Sequence, residues 1–274
     1  MVVLLNSLYK GGIGKTSNSV ILTHILADKG YKILFIDCDP QGNGTRFLTT
    51  KSTTDVEFQK KNIFEAVKHD ELKDNILKLK ENIDYVPGNE NINLFERMMD
   101  RKKIPSDKRY LYFNMLLQPL SQEEMYDFII LDVSPTKSLL NSSIMAGVTH
   151  HIVTSQSEVF SVEMIQSYLN DIKEFRAIQQ IPSEVLGISL GMRDWTKLSK
   201  QVHDLVIHHY GDLVFNTVTK RKSKITEYAA AGFPSRNKRG LYNVKDSKAL
   251  SLHWRLADEI LMRLNLPLSK GGEI

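Results

Sequence analysis

Short apolar runs recur along the chain and alternate with longer segments in which apolar residues repeat at helical spacing. Strands that alternate with helices in this way pair in parallel and are covered on both sides. The pattern predicts an α/β fold, a doubly wound, mainly parallel sheet with helices on both faces. The predicted strands are residues 2–5, 31–37, 83–86, 126–132, 150–154 and 185–190, and the predicted helices are residues 19–29, 63–68, 91–102, 108–117, 159–178, 195–210 and 247–264.

The length of the chain and its lack of repeats and linkers indicate its domain organisation. The chain has 274 residues, with no internal repeat and no low-complexity linker, so we expect a single domain over residues 1–274. Residues 51–121 contain helix-like pieces, a short strand and charged connectors that the core of such a fold does not need. We interpret this segment as a helical elaboration packed on the sheet edge and as a candidate for partner recognition.

A glycine-rich turn lies between the first predicted strand and the first predicted helix, with the sequence Lys10-Gly11-Gly12-Ile13-Gly14-Lys15-Thr16-Ser17. Glycines let successive backbone N–H groups curl around an anion, and the following helix directs about half a positive charge at the same point. In such a turn Lys15 lies along the β- and γ-phosphates, and the Thr16 hydroxyl is a ligand for Mg²⁺. The turn therefore predicts a site for nucleotide phosphates.

Two predicted strands end in aspartate, at the sheet edge where open α/β folds bind ligands. Asp37 ends one strand and is followed by Cys38-Asp39-Pro40-Gln41, and Asp132 ends another. Phosphoryl transfer mainly requires a positioned water and neutralised charge, which carboxylates and a metal ion supply. An aspartate at the end of a strand is by itself weak evidence for a phosphoryl-transfer site. The glycine-rich turn in the same chain strengthens that interpretation.

Positive charge is concentrated late in the chain. The formal net charge is +4, but residues 193–270 carry 15 Lys and Arg against 7 Asp and Glu, an excess of eight that leaves −4 for the remainder. Clustered Lys and Arg without a base-reading motif bind nucleic acid through its phosphates. The logarithm of the binding constant then falls with the logarithm of the salt concentration, with a slope of roughly 0.9 per phosphate neutralised. A solvated charged face is the alternative interpretation of the same cluster.

The cysteine, the histidines and the apolar runs of the chain exclude several classes of protein and site. The single cysteine, Cys38, excludes an internal disulfide framework and multi-cysteine metal sites, and we expect it to be a small buried residue. The pairs His150-His151 and His208-His209 lack the spacing of a zinc site. No apolar run reaches the ~18 residues that span a bilayer. The first strand begins too early for a signal peptide, so we expect a cytoplasmic protein.

Three motifs together resemble those of the ParA/MinD family of P-loop ATPases. Lys10 precedes the two glycines, and Tyr9 stands where the general pattern G-x-x-x-x-G-K-[ST] has glycine, which resembles the family's deviant Walker A motif. The segment from Asp37 to Gln41 resembles its switch I motif, and the strand that ends at Asp132 resembles Walker B. The family commonly has two prolines shortly after that aspartate, whereas this chain has only Pro135. The resemblance covers residues 1–50 and 126–264.

The resemblance implies roles for these residues. Lys10 would reach across a nucleotide-sandwich homodimer to the partner's phosphates, and Asp39 would orient the attacking water, so the implied catalytic residues are Lys10, Lys15 and Asp39. ATP would be bound by Lys10, Gly11, Gly12, Ile13, Gly14, Lys15, Thr16 and Ser17, and Mg²⁺ by Thr16, Asp132 and, through a coordinated water, Asp37. ATP rather than GTP rests on the resemblance, with residues 192–194 or 217–220 as candidates for base contact.

The basic segment extends the resemblance. Its order of Lys224, Glu227 and Gly232-Phe233-Pro234 is similar to the C-terminal region of ParA proteins, where a basic residue at the position of Lys224 helps to grip DNA. The implied DNA-binding residues are Lys197, Lys220, Arg221, Lys222, Lys224, Arg236, Lys238 and Arg239.

The function implied by the resemblance is that of a ParA-type, Soj-like ATPase for plasmid or chromosome partition. An ATP-dependent homodimer would bind double-stranded DNA nonspecifically on the nucleoid, and a ParB-like centromere-binding protein would stimulate slow hydrolysis and release. The chain begins at the nucleotide fold without a helix-turn-helix, so we do not expect operator binding.

Two alternatives remain open, a MinD-like membrane-associated positioning ATPase and a nucleotide-gated scaffold with negligible hydrolysis. The apolar stripe of the last helix bears on the first of them. The stripe is formed by Leu250, Trp254, Ala257, Leu261 and Leu264. We interpret it as core packing without membrane contact, because the tail beyond it is short and poorly basic.

Overall fold

The computed structural model describes residues 1–179, 183–192, 196–220 and 222–270. Within these ranges the chain forms one eight-stranded sheet. The strands are β1 (Val2–Ser7), β2 (Ile33–Asp37), β3 (Leu77–Lys80), β4 (Ile83–Val86), β5 (Phe128–Asp132), β6 (His150–Gln156), β7 (Glu184–Met192) and β8 (Thr219–Lys220).

The sheet has the order β3-β4-β2-β5-β1-β6-β7-β8. Every neighbouring pair is parallel except β3 and β4, which are antiparallel. Strand order reverses on either side of β1, so the carboxyl ends of β1, β2 and β5 meet at one edge, where a doubly wound sheet binds its ligand. The predicted doubly wound, mainly parallel sheet is confirmed.

Eleven α-helices occur in the described ranges. They are α1 (Lys15–Asp28), α2 (Asn43–Thr49), α3 (Val56–Lys60), α4 (Ile63–His69), α5 (Phe95–Arg101), α6 (Tyr112–Gln122), α7 (Leu139–Gly147), α8 (Ser161–Gln179), α9 (Lys197–Tyr210), α10 (Ser223–Ala231) and α11 (Val244–Arg263). Short 3₁₀ turns precede α5 and α6, at Glu90–Leu94 and Ser106–Leu111, and overlap the starts of the helices predicted at residues 91–102 and 108–117.

Helices cover both faces of the sheet because successive strand residues point to opposite sides. Val3 and Leu5 of β1 belong to the core cluster that is completed by residues of α4 to α9. Leu4 belongs to the other cluster, which residues of α1, α2, α10 and α11 complete. The prediction of helices on both faces is therefore confirmed.

Residues 51–121 are less purely helical than the sequence suggested. The predicted strand at residues 83–86 is β4, which pairs in parallel with β2. An additional strand, β3, pairs with β4 and forms the edge of the sheet. The prediction missed β3 because its four residues, Leu77-Lys78-Leu79-Lys80, carry two lysines and were assigned to the charged connectors.

The last helix packs its apolar stripe inward, as predicted. Leu250, Ala257 and Leu261 are buried, while Trp254 and Leu264 are partly buried against the same core cluster. The following tail is also held: the backbone N–H of Lys270 donates to the Lys29 carbonyl at 2.8 Å. No helix in the described part of the chain is long and apolar enough to cross a membrane.

Candidate nucleotide site

The glycine-rich turn lies at the carboxyl end of β1 and leads directly into α1. Gly12 and Gly14 have φ values of +74° and +90°, and neither would have a neighbouring atom within 4 Å of an added Cβ. The backbone angle and not crowding therefore requires glycine at these two positions. Gly14 is the residue before α1, so the first free N–H groups of the helix face the turn.

Lys15 is drawn into this turn. Its side chain is buried, with 6% of the residue exposed, and Nζ donates a hydrogen bond of 2.5 Å to the carbonyl oxygen of Lys10. Burial lowers the pKa of Lys15, and the carboxylates of Asp132 and Asp39 oppose that shift. An ammonium group in this position can exchange a loop carbonyl for phosphate oxygens without leaving the turn.

Asp37 and Asp132 lie side by side because β2 and β5 pair in register at these two residues. Both are fully buried. Asp37 is well satisfied: it accepts hydrogen bonds from the backbone N–H of Thr45 at 2.6 Å, from the Thr45 hydroxyl at 2.7 Å and from the Asp39 N–H at 3.1 Å. Burial nevertheless raises the pKa of Asp37 to about 6.

Asp132 differs from Asp37 in its hydrogen bonding. Neither of its carboxylate oxygens has a hydrogen-bond partner of normal geometry among the described residues. Burial, together with the nearby charge of Asp37, raises the pKa of Asp132 well above its ordinary value, and Thr16 and Lys15 act in the opposite direction. A buried carboxylate without a partner is costly, and a bound cation relieves that cost.

The donors at this position suit Mg²⁺. No cluster of three or more His, Cys, Asp or Glu side chains able to hold a metal occurs in the described ranges, so a cation here would need further oxygen ligands. Mg²⁺ usually takes one or two carboxylates together with substrate phosphates and waters. The Asp132 carboxylate and the Thr16 hydroxyl beside the phosphate turn match that requirement.

Asp39 is a buried residue that lines the site. Its Oδ1 accepts a hydrogen bond of 2.9 Å from the backbone N–H of Gln41, which fixes the Asp39-Pro40-Gln41 turn. Together with the glycine-rich turn and residues 133–136, this turn lines a cavity of about 1070 Å³. The volume is at the upper end of the range of ligand sites.

Two glycines and one threonine near the carboxylates were missed by the sequence analysis. A Cβ on Gly44 would come within 2.8 Å of the Phe35 ring and 3.1 Å of the Asp132 carboxylate, and one on Gly88 within 2.9 Å of Asp37. Thr45 also accepts a hydrogen bond from the Gly88 N–H at 2.8 Å. The Gly42-Asn43-Gly44 sequence was the available signal for a close approach of α2 to the site.

The Lys10 side chain pairs with a residue from another part of the chain. Its Nζ forms an ion pair with the carboxylate of Glu158, which lies between β6 and α8. The side chains of the two residues are 28% and 45% exposed, respectively, so the pair is accessible at the rim of the site. Sequence reasoning gave no signal for Glu158, which lies 148 residues from Lys10.

The candidate base-contacting segments have different outcomes. Residues 193–194 lie outside the described residues. In the second segment, Thr219 and Lys220 line the far end of the cavity, together with Asn18 and His253. Thr217 instead donates a hydrogen bond to the Glu259 carboxylate, which ties this residue to α11.

The predicted DNA-binding residues fall into two groups. Lys197, Lys220, Lys238 and Arg239 are exposed, and Lys197 begins α9 at the same edge of the sheet as the cavity. Arg221 lies outside the described residues. The other three, Lys222, Lys224 and Arg236, are partly buried.

The contacts of these three residues have separate roles. Lys222 donates to the Lys248 carbonyl at 2.6 Å and lines the cavity, and Lys224 donates to the Glu227 carboxylate at 2.8 Å. Arg236 forms an ion pair with Asp28 at 3.2 Å. Its guanidinium also lies 5.2 Å from the Tyr242 ring centre and 5.4 Å from the Trp254 ring centre.

Cys38 is buried, as the sequence predicted. His150 and His151 begin β6, and His208 and His209 lie in the last turn of α9.

Comparison with known proteins gives consistent results. A family model described as an AAA domain matches residues 1–183. The chromosome-partitioning ATPase Soj of Treponema pallidum is 28% identical over 258 residues, which cover 93% of this chain and 94% of Soj.

Two solved structures share the fold. An ATP complex of a variant of McdA from Cyanothece has a TM-score of 0.79 at 17% identity and covers 97% of both chains. A putative plasmid partition protein of Borrelia burgdorferi bound to AMPPNP has a TM-score of 0.73 at 18% identity, with 96% of this chain and 98% of that chain covered.

Proposed function

Since the chain belongs to the ParA/MinD family of P-loop ATPases, we propose that it is a ParA-type ATPase that partitions a plasmid or chromosome. The observation that carries the ATPase part is the buried Asp132 carboxylate beside Thr16 and Lys15, which has no hydrogen-bond partner of normal geometry in the described part of the chain. Partition as the purpose of hydrolysis is supported by the likeness to Soj, which is described as a chromosome-partitioning ATPase.

The proposed reaction is hydrolysis of ATP to ADP and phosphate. A water oxygen attacks the γ-phosphorus, the bond to the β–γ bridging oxygen breaks, and the water proton is released. Bound Mg²⁺ would neutralise phosphate charge, held by Thr16 and Asp132. Lys15 is suited to bind the β- and γ-phosphates, and Asp39 is suited to orient the water.

The hydrogen bonds of Asp37 support a structural role in addition to the water-mediated contact with Mg²⁺ that the family resemblance implied. Its carboxylate already accepts three hydrogen bonds, two of them from Thr45 at the start of α2. We therefore propose that Asp37 mainly fixes α2 against the site, and that any contact with Mg²⁺ is indirect, through a coordinated water.

The proposed active form is a homodimer. Lys10 bonds to Glu158 of its own chain, and we propose that in the dimer it exchanges this partner for the phosphates held by the second copy. The exchange of one anionic partner for another keeps the ammonium group paired in both states. Because the pair is partly exposed, breaking it costs little.

The exposed basic residues would bind DNA in this dimer. Lys197, Lys220, Lys238 and Arg239 supply charge without a base-reading motif, so binding is expected to be independent of sequence. Joining two copies doubles the number of phosphate contacts and raises the apparent affinity. A ParB-like centromere-binding protein would stimulate hydrolysis, separate the copies and release the DNA. The protein would then alternate between a nucleoid-associated dimer and free single copies.

The test is DNA binding across a salt series with AMPPNP, ATP or ADP and Mg²⁺, using duplexes of unrelated sequence. We expect tight binding only with the triphosphates and equal affinity for the different duplexes. The slope of the logarithm of the binding constant against the logarithm of the salt concentration should fall in magnitude by roughly 0.9 for each phosphate contact removed. Liposome co-sedimentation under the same conditions tests the membrane alternative. Nucleotide-dependent binding to liposomes without binding to DNA would contradict the proposal, and the absence of phosphate release would favour the scaffold alternative.

A further inference from the structure

Two adjacent apolar side chains are exposed at the rim of the nucleotide site. Val159 is 56% exposed and Phe160 is 68% exposed. All the phenylalanines fall within the described residues, and Phe160 is the only one of them that is exposed. An aromatic ring in contact with water provides binding energy when a partner covers it.

The turn that carries these side chains is joined to the glycine-rich turn at two points. Gln156, at the end of β6, donates a hydrogen bond of 3.4 Å to the Gly12 carbonyl. Glu158, two residues before Phe160, forms the ion pair with Lys10. The apolar side chains and the Lys10 ammonium group therefore lie on one continuous rim.

The position of Lys10 limits where a second copy can approach. Its Nζ is bound to the Glu158 carboxylate, which follows the Gln156 that contacts the glycine-rich turn. A second copy whose phosphates receive this lysine must come within the length of one lysine side chain of the turn. Val159 and Phe160 follow Glu158 directly and are exposed, so a protein surface at that distance from Glu158 would also reach these two side chains.

We propose that Val159 and Phe160 form an apolar anchor of the surface on which a second copy of this chain docks. The inference rests on the proposed nucleotide-dependent homodimer and identifies the residues that hold it together. Charged contacts alone lose solvation when they are buried, so they contribute specificity more than affinity. A buried aromatic ring next to the Lys10 exchange supplies the affinity that those contacts lack.

The experiment measures the dissociation constant of the dimer for Phe160→Ala and for Met262→Ala, in the presence of AMPPNP and Mg²⁺. Met262 is the matched control because it is 56% exposed and lies in the last turn of α11. That end of α11 is tied to the start of β7, since Arg263 donates to the Leu186 carbonyl at 2.8 Å. It therefore lies away from the nucleotide edge. We expect Phe160→Ala to weaken the dimer at least about tenfold, as for truncation of an interface anchor, and Met262→Ala to leave it unchanged.

A second measurement does not depend on loss of dimer. The only natural cysteine is buried, so Phe160→Cys and Met262→Cys each add one reactive thiol. We expect maleimide labelling of Phe160→Cys to slow at least about tenfold when AMPPNP and Mg²⁺ are added, because an interface core excludes solvent. Labelling of Met262→Cys should not change.

The outcomes separate this inference from the function on which it rests. A wild-type protein that stays monomeric with AMPPNP contradicts the proposed function itself. The anchor alone is overturned if the wild type dimerises, Phe160→Ala dimerises with the same affinity, and labelling of Phe160→Cys does not slow when AMPPNP is added. Weakened association together with nucleotide-dependent protection supports both.

Discussion

At the scale of single residues, the site is a set of buried charges held in place by their neighbours. Asp37 is stabilised by three hydrogen bonds, whereas Asp132 has no partner of normal geometry within the described ranges. Two adjacent buried carboxylates repel each other, and Lys15 only partly offsets this. The protein without nucleotide is therefore destabilised at the place where Mg²⁺ would bind.

We predict that this destabilisation depends on pH. The pKa of Asp37 is raised from its ordinary 3.8 to about 6, so between these values the folded chain binds a proton that the unfolded chain has lost. The free energy of unfolding should therefore fall as pH rises through this window, by about 1.4 kcal/mol per unit of pKa difference, and the loss should be complete above it.

Asp132→Asn should flatten this pH dependence, because it removes the like charge beside Asp37 and a second buried titrating group. Urea unfolding at several pH values without nucleotide or Mg²⁺ measures the effect. Asp204→Asn, which changes an exposed carboxylate on α9, is the control and should behave like the wild type. An Asp132→Asn protein with the wild-type profile would argue against this electrostatic account, as would one that keeps Mg²⁺-dependent ATP binding.

Among the basic residues, we predict that Arg236 acts in stability and Lys238 in DNA binding. Arg236→Ala should lower the free energy of unfolding by about 1–2 kcal/mol, because the half-buried guanidinium pairs with Asp28 and packs on two aromatic rings. Lys238→Ala should stay within about 0.5 kcal/mol of the wild type and reduce the salt slope by roughly 0.9 per protomer. Chemical unfolding and a DNA titration of both variants test this division, and the opposite pattern would refute it.

At the scale of elements, α2 links the sheet edge to the rest of the molecule. Its first turn is fixed by the bonds from Thr45 to Asp37, and Gly44 allows it to lie against Phe35 and Asp132. Farther along, Phe47 and Leu48 enter the core cluster that also contains residues of α10 and α11. A seven-residue helix of this kind is stabilised by its contacts more than by its own propensity.

Thr45→Val should therefore cost more stability than Thr49→Val. The first change removes a hydrogen bond to a buried carboxylate, at about 1–3 kcal/mol. The Thr49 hydroxyl makes only local contacts, since it donates to the Thr45 carbonyl and accepts from the Lys51 N–H at 3.1 Å. The loss in Thr45→Val should be larger at pH 8 than at pH 5, since Asp37 is ionised above about 6. Equal losses for the two variants in denaturant unfolding would contradict this role for α2.

The sequence predicted the central elements well because each carries its own signal. Strands β2 and β5 are apolar runs that end in aspartate, and the glycine-rich turn specifies the start of α1 by its backbone requirements. The short elements α2, α3 and β8 were not predicted, because tertiary contacts and not local periodicity define them. The same holds for α7 and α10, which were not assigned.

The candidate site was predictable to the same extent. Motif residues such as Lys15, Asp39 and Asp132 were found from spacing, while Glu158 and Thr45 belong to no motif that the sequence analysis used. Their partners are 148 and 8 residues away, respectively, and the contacts exist only because the fold brings the chain segments together.

At the scale of the whole molecule, the nucleotide cavity shares one edge of the sheet with two of the exposed basic residues, Lys197 and Lys220. Lys220 lines the cavity wall, and Lys197 begins α9 at that edge. The opposite end is closed by the tail, where the Lys270 backbone bonds to Lys29. In the proposed dimer, a second copy that docks over the cavity would bring the cations of both copies to neighbouring positions, and this arrangement would couple nucleotide state to DNA affinity.

The most direct test of this account is the mass in solution of the wild-type and Lys10→Ala proteins with AMPPNP and Mg²⁺, measured by light scattering. The account predicts that the wild-type mass doubles from 31.3 kDa with AMPPNP but not with ADP. Lys10→Ala should bind the nucleotide and remain monomeric, since the contact across the interface is lost. A Lys10→Ala protein that doubles in mass as the wild type does would contradict the central claim.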